Sequence, residues 1–262
     1  TFAGLLRTFG SKEADMPYSN AAEKLEETYT THEVRIAKRF NGPPTSGNGG
    51  WTAALLGKHV GPEVEVTLKR PIPLERSIHV IGSGDAASLV DGEVEIASAR
   101  AAELELDIPE AIGFQEAAQA RASFAGYENH PFPGCFVCGT GRCCGDGMCL
   151  FTGRLGEGIV ASSWIPDAEF AGEDGCITPE LVCAALDCPG AWAFIDRYSI
   201  DTPVVLGRMT YRLDKPIYAG ERYVVMGWVQ GREGRKLHCG TAVYDAEGKV
   251  CAAAAATWLQ LR

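Results

Sequence analysis

Residues 64–82, VEVTLKRPIPLERSIHVIG, return as residues 209–227, MTYRLDKPIYAGERYVVMG, without a gap. Leu68 answers to Leu213, Pro71 to Pro216, Ile72 to Ile217, Val80 to Val225 and Gly82 to Gly227. A chain built this way has to solve the same burial problem twice. Val64, Val66 and Leu68 alternate with polar residues, as do Met209, Tyr211 and Leu213, which is the period of a half-buried strand. Pro71 and Pro216 then mark edges or bulges, where no ladder hydrogen bond is donated. Further on, Asp91-Gly92 and Glu247-Gly248 stand between apolar runs as hairpin turns. Gly92 answers to Gly248, a larger separation than before, so the second copy is expected to carry about one extra hairpin arm near Gly231–His238.

Each copy also places one helix before its strands. The first is expected from Trp51 to His59, after Gly47-Asn48-Gly49-Gly50 and before Gly61-Pro62. The second starts at Thr178-Pro179-Glu180, with Thr as N-cap and Pro at the first helical position. A strand-like segment precedes each helix, His32 to Phe40 and Gly158 to Trp164. The fold class is therefore α+β, each half a helix covered by antiparallel strands. The expected divisions are a tail over 1–20, a first domain over 21–110, a connector with a cysteine-rich segment over 111–150, and a second domain over 151–262.

With 46% hydrophobic and 22% charged residues the composition is that of an ordinary globular protein. No run of 18 apolar residues exists, so no membrane span is expected. A net charge of −10 argues against a general nucleic-acid binder. The ten cysteines are absent before Cys135 and crowd between Cys135 and Cys149. The first residues, Thr1 to Arg7, do not read as a signal peptide, so a reducing, cytoplasmic setting is expected.

Within this frame Asp187 is conspicuous. It is the only charge between Glu180 and Asp196, in a helix that is otherwise apolar all round. A buried carboxylate costs free energy and has a raised pKa unless its surroundings compensate. It serves either as a structural cap or as a chemical group.

Phe40-Asn41-Gly42-Pro43-Pro44 with Ser46 to Gly50, Ala185-Leu186-Asp187-Cys188-Pro189, and the run from Gly207 to Gly227 together resemble the hotdog-fold acyl-CoA thioesterases, with two hotdog folds fused in one chain. The resemblance spans roughly residues 30–106 and 130–262. It implies a tandem (double) hotdog: two antiparallel sheets, each wrapping a central helix, joined as an intramolecular pseudo-dimer. It also implies two antiparallel helices at the pseudo-dimer interface, one supplying a carboxylate and the other aiming its N-terminus at a thioester carbonyl. Aligning the helix starts sets Gly57 opposite Asp187, so one competent site is expected of two. Its catalytic residues are Asp187 from the second half and Asn48, Gly49 and Gly50 from the first. Free N–H groups at a helix start favour developing negative charge.

The implied substrate is an acyl-CoA, with coenzyme A part of the substrate and no separate cofactor. Asn41, Trp51 and Trp192 are expected to contact it, with Trp164 and Phe194 as further apolar lining. Arg232, Arg235 and Lys236, the densest basic cluster, are expected to meet its phosphates. Exposed sheet edges leave a homodimer of such chains open.

Other readings compete. Cys135-x2-Cys138 with Cys143, Cys144, Cys149 and His130 has the look of a zinc knuckle. A second C-x2-C pair is missing, so no metal is expected and the thiols are read as packing groups. Cys188 as a nucleophile has no His near it in sequence, and no Gly-x-Ser-x-Gly elbow occurs. A hotdog dehydratase would carry a His soon after its Asp, whereas Asp187 is followed by Cys-Pro-Gly-Ala-Trp. A non-catalytic acyl-CoA or lipid-binding protein is the reading from a different class. An open cleft where Asp187 meets Gly50 favours chemistry; a filled one favours binding or structure.

Overall fold

The computed structural model describes residues 30–143 and 145–261. The expected tail over 1–20 and Cys144 lie outside the described residues. The first half runs β1 (Thr30–Arg35), α1 (Gly49–Gly57), β2 (Glu63–Leu68), β3 (Ser77–Ser83), β4 (Ala86–Asp91) and β5 (Val94–Ala101). A connector follows, holding the short helix α2 (Phe114–Ala120) and then β6 (Gly153–Gly156). The second half runs β7 (Ile159–Trp164), α3 (Pro179–Tyr198), β8 (Val204–Leu213), β9 (Tyr223–Glu233), β10 (Lys236–Tyr244) and β11 (Val250–Gln260).

The spatial strand order is β1-β3-β4-β5-β2-β8-β11-β10-β9-β7-β6. Read outward from the β2/β8 junction, the two halves repeat one antiparallel pattern, with β6 added at the far edge. The junction joins the two repeat copies themselves, with Val64 opposite Tyr211 and Val66 opposite Met209. The repeat is thus a pseudo-twofold, and the two sheets run on as one ladder through β2 and β8.

Two details differ from the sequence expectation. The strand expected over His32 to Phe40 stops at Arg35, and Lys38–Phe40 form a single 3-10 turn. No extra arm stands near Gly231. Instead the β9/β10 hairpin has strands of 11 and 9 residues against 7 and 6 for β3/β4, turning at Gly234, where φ is +57°.

The longer second sheet is covered on both faces. α3 packs on one, and every residue from Leu181 to Phe194 is buried. Leu104, the connector's Ala117, Met226, Trp228 and Tyr244 form a separate cluster on the other, where the Tyr244 hydroxyl donates to the Pro109 carbonyl at 2.9 Å. Among the described residues no helix is long and apolar enough to cross a membrane.

Candidate functional site: a bare carboxylate oxygen in an apolar cavity

α1 begins where its sequence can satisfy a helix start. Asn48 is the N-cap, and its Oδ1 accepts from the Trp51 N–H at 2.9 Å. With Oδ1 so engaged, the Asn48 amide nitrogen points away from the helix, toward α3. It donates to Asp187 Oδ2 at 2.7 Å, and the Gly50 N–H donates to the same oxygen at 3.1 Å. The contact requires glycine: a Cβ on Gly50 would lie 2.1 Å from the Cys183 carbonyl oxygen and 2.8 Å from the Asp187 Cβ. The two helices therefore cross here at backbone distance.

Asp187 is 2% exposed, and its Oδ1 is buried with no hydrogen-bond partner among the described residues. Burial pushes its pKa up to about 7, opposed in part by the Gly50 N–H and the Asn48 amide. A carboxyl held this way keeps its proton more tightly folded than unfolded, where the ordinary value is 3.8. Stability therefore falls as pH rises from about 4 through about 7, by about 4 kcal/mol for a shift of about three pH units. Thermal melts of Asp187→Asn should check this. The variant's melting temperature relative to the parent is expected to climb across that window and level off above it. A difference that is flat in pH would mean that the carboxyl titrates normally.

Asp187, Asn48 and Gly49 face a cavity of about 470 Å³ between the halves, within the usual size range of small-molecule sites. Its walls are largely apolar, with Leu68, Ile72, Trp192, Leu206 and Trp258 among them. Its rim includes the exposed residues Lys69, Arg70 and Leu261. His130, Cys135, Cys138 and Cys188 also line it. His130 Nδ1 accepts from the Phe132 N–H at 3.0 Å and Nε2 bonds the Cys138 carbonyl at 2.9 Å, so both ring nitrogens are engaged. Burial lowers its pKa, which keeps the imidazole neutral.

The pseudo-symmetric position is closed. Helix starts at Gly49 and Pro179 set Gly57 against Asp187 and Glu180 against Gly50. A Cβ on Gly57 would lie 2.0 Å from the Tyr211 hydroxyl, so that phenol fills the space an acid would need. Glu180 stands where the other helix offers a donor and is paired with Lys58 at 3.0 Å. Thr178 makes no side-chain cap.

The other expected contact residues divide. Trp192 lines the cavity. Trp51 does not: its ring stacks on Phe40 at 3.7 Å and meets Phe136 edge-on. Asn41 is also off the cavity, donating to the Gly42 and Pro43 carbonyls and accepting from Arg142. It closes the loop that leads into α1. Both expectations rested on nearness to Asn48 in sequence, and the turn of the chain faces them elsewhere. Trp164 and Phe194 are core residues away from this cavity.

Arg232, Arg235 and Lys236 sit at the β9/β10 tip and do not line it. Arg232 and Arg235 donate to the Gln260 side chain and backbone, and Lys236 pairs with Glu233. Lys236 lies opposite Leu259, which does line the cavity. Sequence reasoning overlooked the nearer cations, Lys69 and Arg70, which belong to the repeat itself. It also foresaw Gly50 as a donor free for a ligand. The Gly50 N–H is instead spent on Asp187, because a buried carboxylate attracts nearby donors; the Gly49 N–H also leans on that carboxylate, while Gly49 itself lines the cavity.

No protein-family model and no curated protein matches this chain in sequence. Its backbone does match solved structures. The tesB protein of Mycobacterium avium subs paratuberculosis aligns over 88% of this chain and 93% of its own, with TM-score 0.57 and 10% identity. A conserved protein of unknown function with a hot dog fold, from Alicyclobacillus acidocaldarius, aligns over 88% and 93%, with TM-score 0.57 and 11% identity. A protein assigned as an oleoyl thioesterase in Lactobacillus plantarum aligns over 91% and 98%, with TM-score 0.54 and 7% identity. The fold is a double hotdog. The likeness extends over both halves.

Proposed function

We propose that this protein hydrolyses an acyl-CoA thioester in the cavity between its halves, with Asp187 as general base. One observation carries the reading: a buried carboxylate beside an apolar cavity has one oxygen held by Asn48 and Gly50, and the other has no hydrogen-bond partner among the described residues. The holding bonds fix the carboxylate's orientation, and the bare Oδ1 is the atom left to react. It takes a proton from water as the water oxygen attacks the thioester carbonyl carbon. Gly49, at the start of α1, lines the cavity, and this helix start favours the oxyanion that forms. The C–S bond then breaks, and the proton on Oδ1 passes to the leaving sulfur. Water adds and a carboxylic acid and a thiol leave, so no co-reactant is needed.

The apolar walls suit an acyl chain, and Arg70 at the rim, next to Lys69 in its pair with Glu95, suits an anionic carrier against a net charge of −10. Dehydratase chemistry would call on a histidine beside the acid. The one in the cavity, His130, has both nitrogens engaged.

The test is thiol release from a panel of CoA esters of different chain lengths. Turnover of at least one ester is expected. Tight binding of the panel without turnover would establish the non-catalytic acyl-binding reading instead. The pH dependence follows from the base being needed ionised: kcat/KM is expected to rise with pH through an apparent pKa near 7 and to level off above it. A profile flat between pH 5 and 9 would remove Asp187 from the proton transfer.

A further inference from the structure

The cysteine-rich segment was expected to hold no metal, on the ground that its own cysteines do not make a set. The fold adds one from elsewhere. Cys135 and Cys138, on the connector, meet Cys188 of α3, and the three sulfurs all lie within 4.8 Å of one another. Each is a free thiol, and all three are buried. The other members of the presumed knuckle are not with them: Cys143 is exposed and Cys149 lies against the Arg142 carbonyl.

Two features separate this cluster from thiols that merely pack. The Cys135 and Cys188 sulfurs are 3.7 Å apart. A tetrahedral site with zinc–sulfur bonds of about 2.3 Å has sulfur–sulfur edges of about 3.8 Å, so this pair already stands at the spacing of two ligands. The Cys135–Cys138 turn is anchored from both sides. The Phe136 N–H donates to the Asn41 carbonyl at 2.8 Å, the Met148 N–H to Phe136 at 2.9 Å and the Leu150 N–H to Val137 at 2.9 Å. The turn is thereby pinned between the loop leading into α1 and the segment from Met148 to Leu150, with the Cys135 sulfur against Cys188 of α3.

We infer that Cys135, Cys138 and Cys188 bind one zinc ion, with its fourth coordination position open to the cavity that Asp187 faces. Three protein ligands with one open position is the pattern of zinc sites that take an exogenous ligand, and thiolates select such soft cations over magnesium or calcium. His130 does not fill the fourth position, because both of its nitrogens are engaged. The open position would take water or a thiol.

The test reads metal binding and not hydrolysis, so it stands or falls apart from the thioesterase reading. Metal-free protein reduced with a phosphine is titrated with Co2+ and then with Zn2+. One Co2+ per chain is expected, with intense thiolate-to-cobalt charge-transfer absorption that one equivalent of Zn2+ abolishes. Cys188→Ser is expected to weaken Zn2+ binding at least tenfold, and Cys143→Ser to leave it unchanged. A small added thiol is expected to shift the cobalt spectrum as it enters the open position. Absence of the charge-transfer band in the parent protein would overturn the site, whatever the variants do. A band that survives Cys188→Ser but not Cys143→Ser would also overturn it by moving the metal to the connector alone. A bound-cobalt spectrum indifferent to added thiol would overturn the open position.

Discussion

Asp187→Asn is expected to lower kcat for acyl-CoA hydrolysis by about 10²–10⁴-fold, the usual contribution of a positioned general base. The substitution keeps the shape. The new amide oxygen can still accept from the Asn48 amide and the Gly50 N–H, so the crossing of α1 and α3 is retained. The group opposite that oxygen changes from an acceptor, the bare Oδ1, to an NH2 that cannot take a proton from water. KM should move little, because the apolar walls and the basic rim are untouched. The same variant is the one expected to be relatively more heat-stable above pH 7, so loss of activity and gain of stability should appear together. That pairing separates a chemical role from a structural one. A cap whose removal damaged the fold would lose both. Thiol-release kinetics on protein of verified melting temperature check it, and turnover within tenfold of the parent would reject Asp187 as the base.

Asp187 was visible in the sequence because a lone charge in an apolar helix has no cheap explanation. Asn48 was visible because an Asn before two glycines starts a helix. The tandem architecture was visible in the repeat, since alternation and proline positions survive in Val64–Leu68 and Met209–Leu213 although few residues are identical. What stayed hidden depends on how the chain closes on itself. Cys188 lies 53 residues from Cys135, and only the packing of the connector against α3 brings their sulfurs together. Lys69 and Arg70 follow β2 directly, but that they form a rim depends on where the cavity opens. Trp51 and Asn41 were misplaced for the converse reason. Sequence neighbours of a cap residue turn away from it, Trp51 around the helix and Asn41 back into its own loop. Tyr211 is the most instructive of these. As one of the alternating apolar positions it reads as a strand residue of the core. Its hydroxyl is also what closes the second pseudo-site at Gly57.

Gly50→Ala is expected to damage fold and function together, and more severely than its single methyl suggests. The added Cβ would lie 2.1 Å from the Cys183 carbonyl oxygen, a backbone atom that cannot rotate aside. Relief requires α1 and α3 to separate. Overpacking typically costs 1–3 kcal/mol, and with backbone as the obstacle about 3 kcal/mol is expected. For a domain of this size that corresponds to a melting temperature lower by about 6–12 °C. Separation also lengthens the Gly50 and Asn48 hydrogen bonds to Asp187, so the carboxylate loses its fixed orientation. A displacement of about 1 Å in a reacting group can cost about 100-fold in rate. Gly61→Ala is the matched control. A Cβ there meets nothing within 4 Å, so its melting temperature and turnover should be those of the parent. Differential scanning calorimetry and thiol release on the two alanine variants side by side give the answer. A Gly50→Ala protein that melts and turns over like Gly61→Ala would place the helix crossing elsewhere, and with it the contact between the two halves on which the site is built.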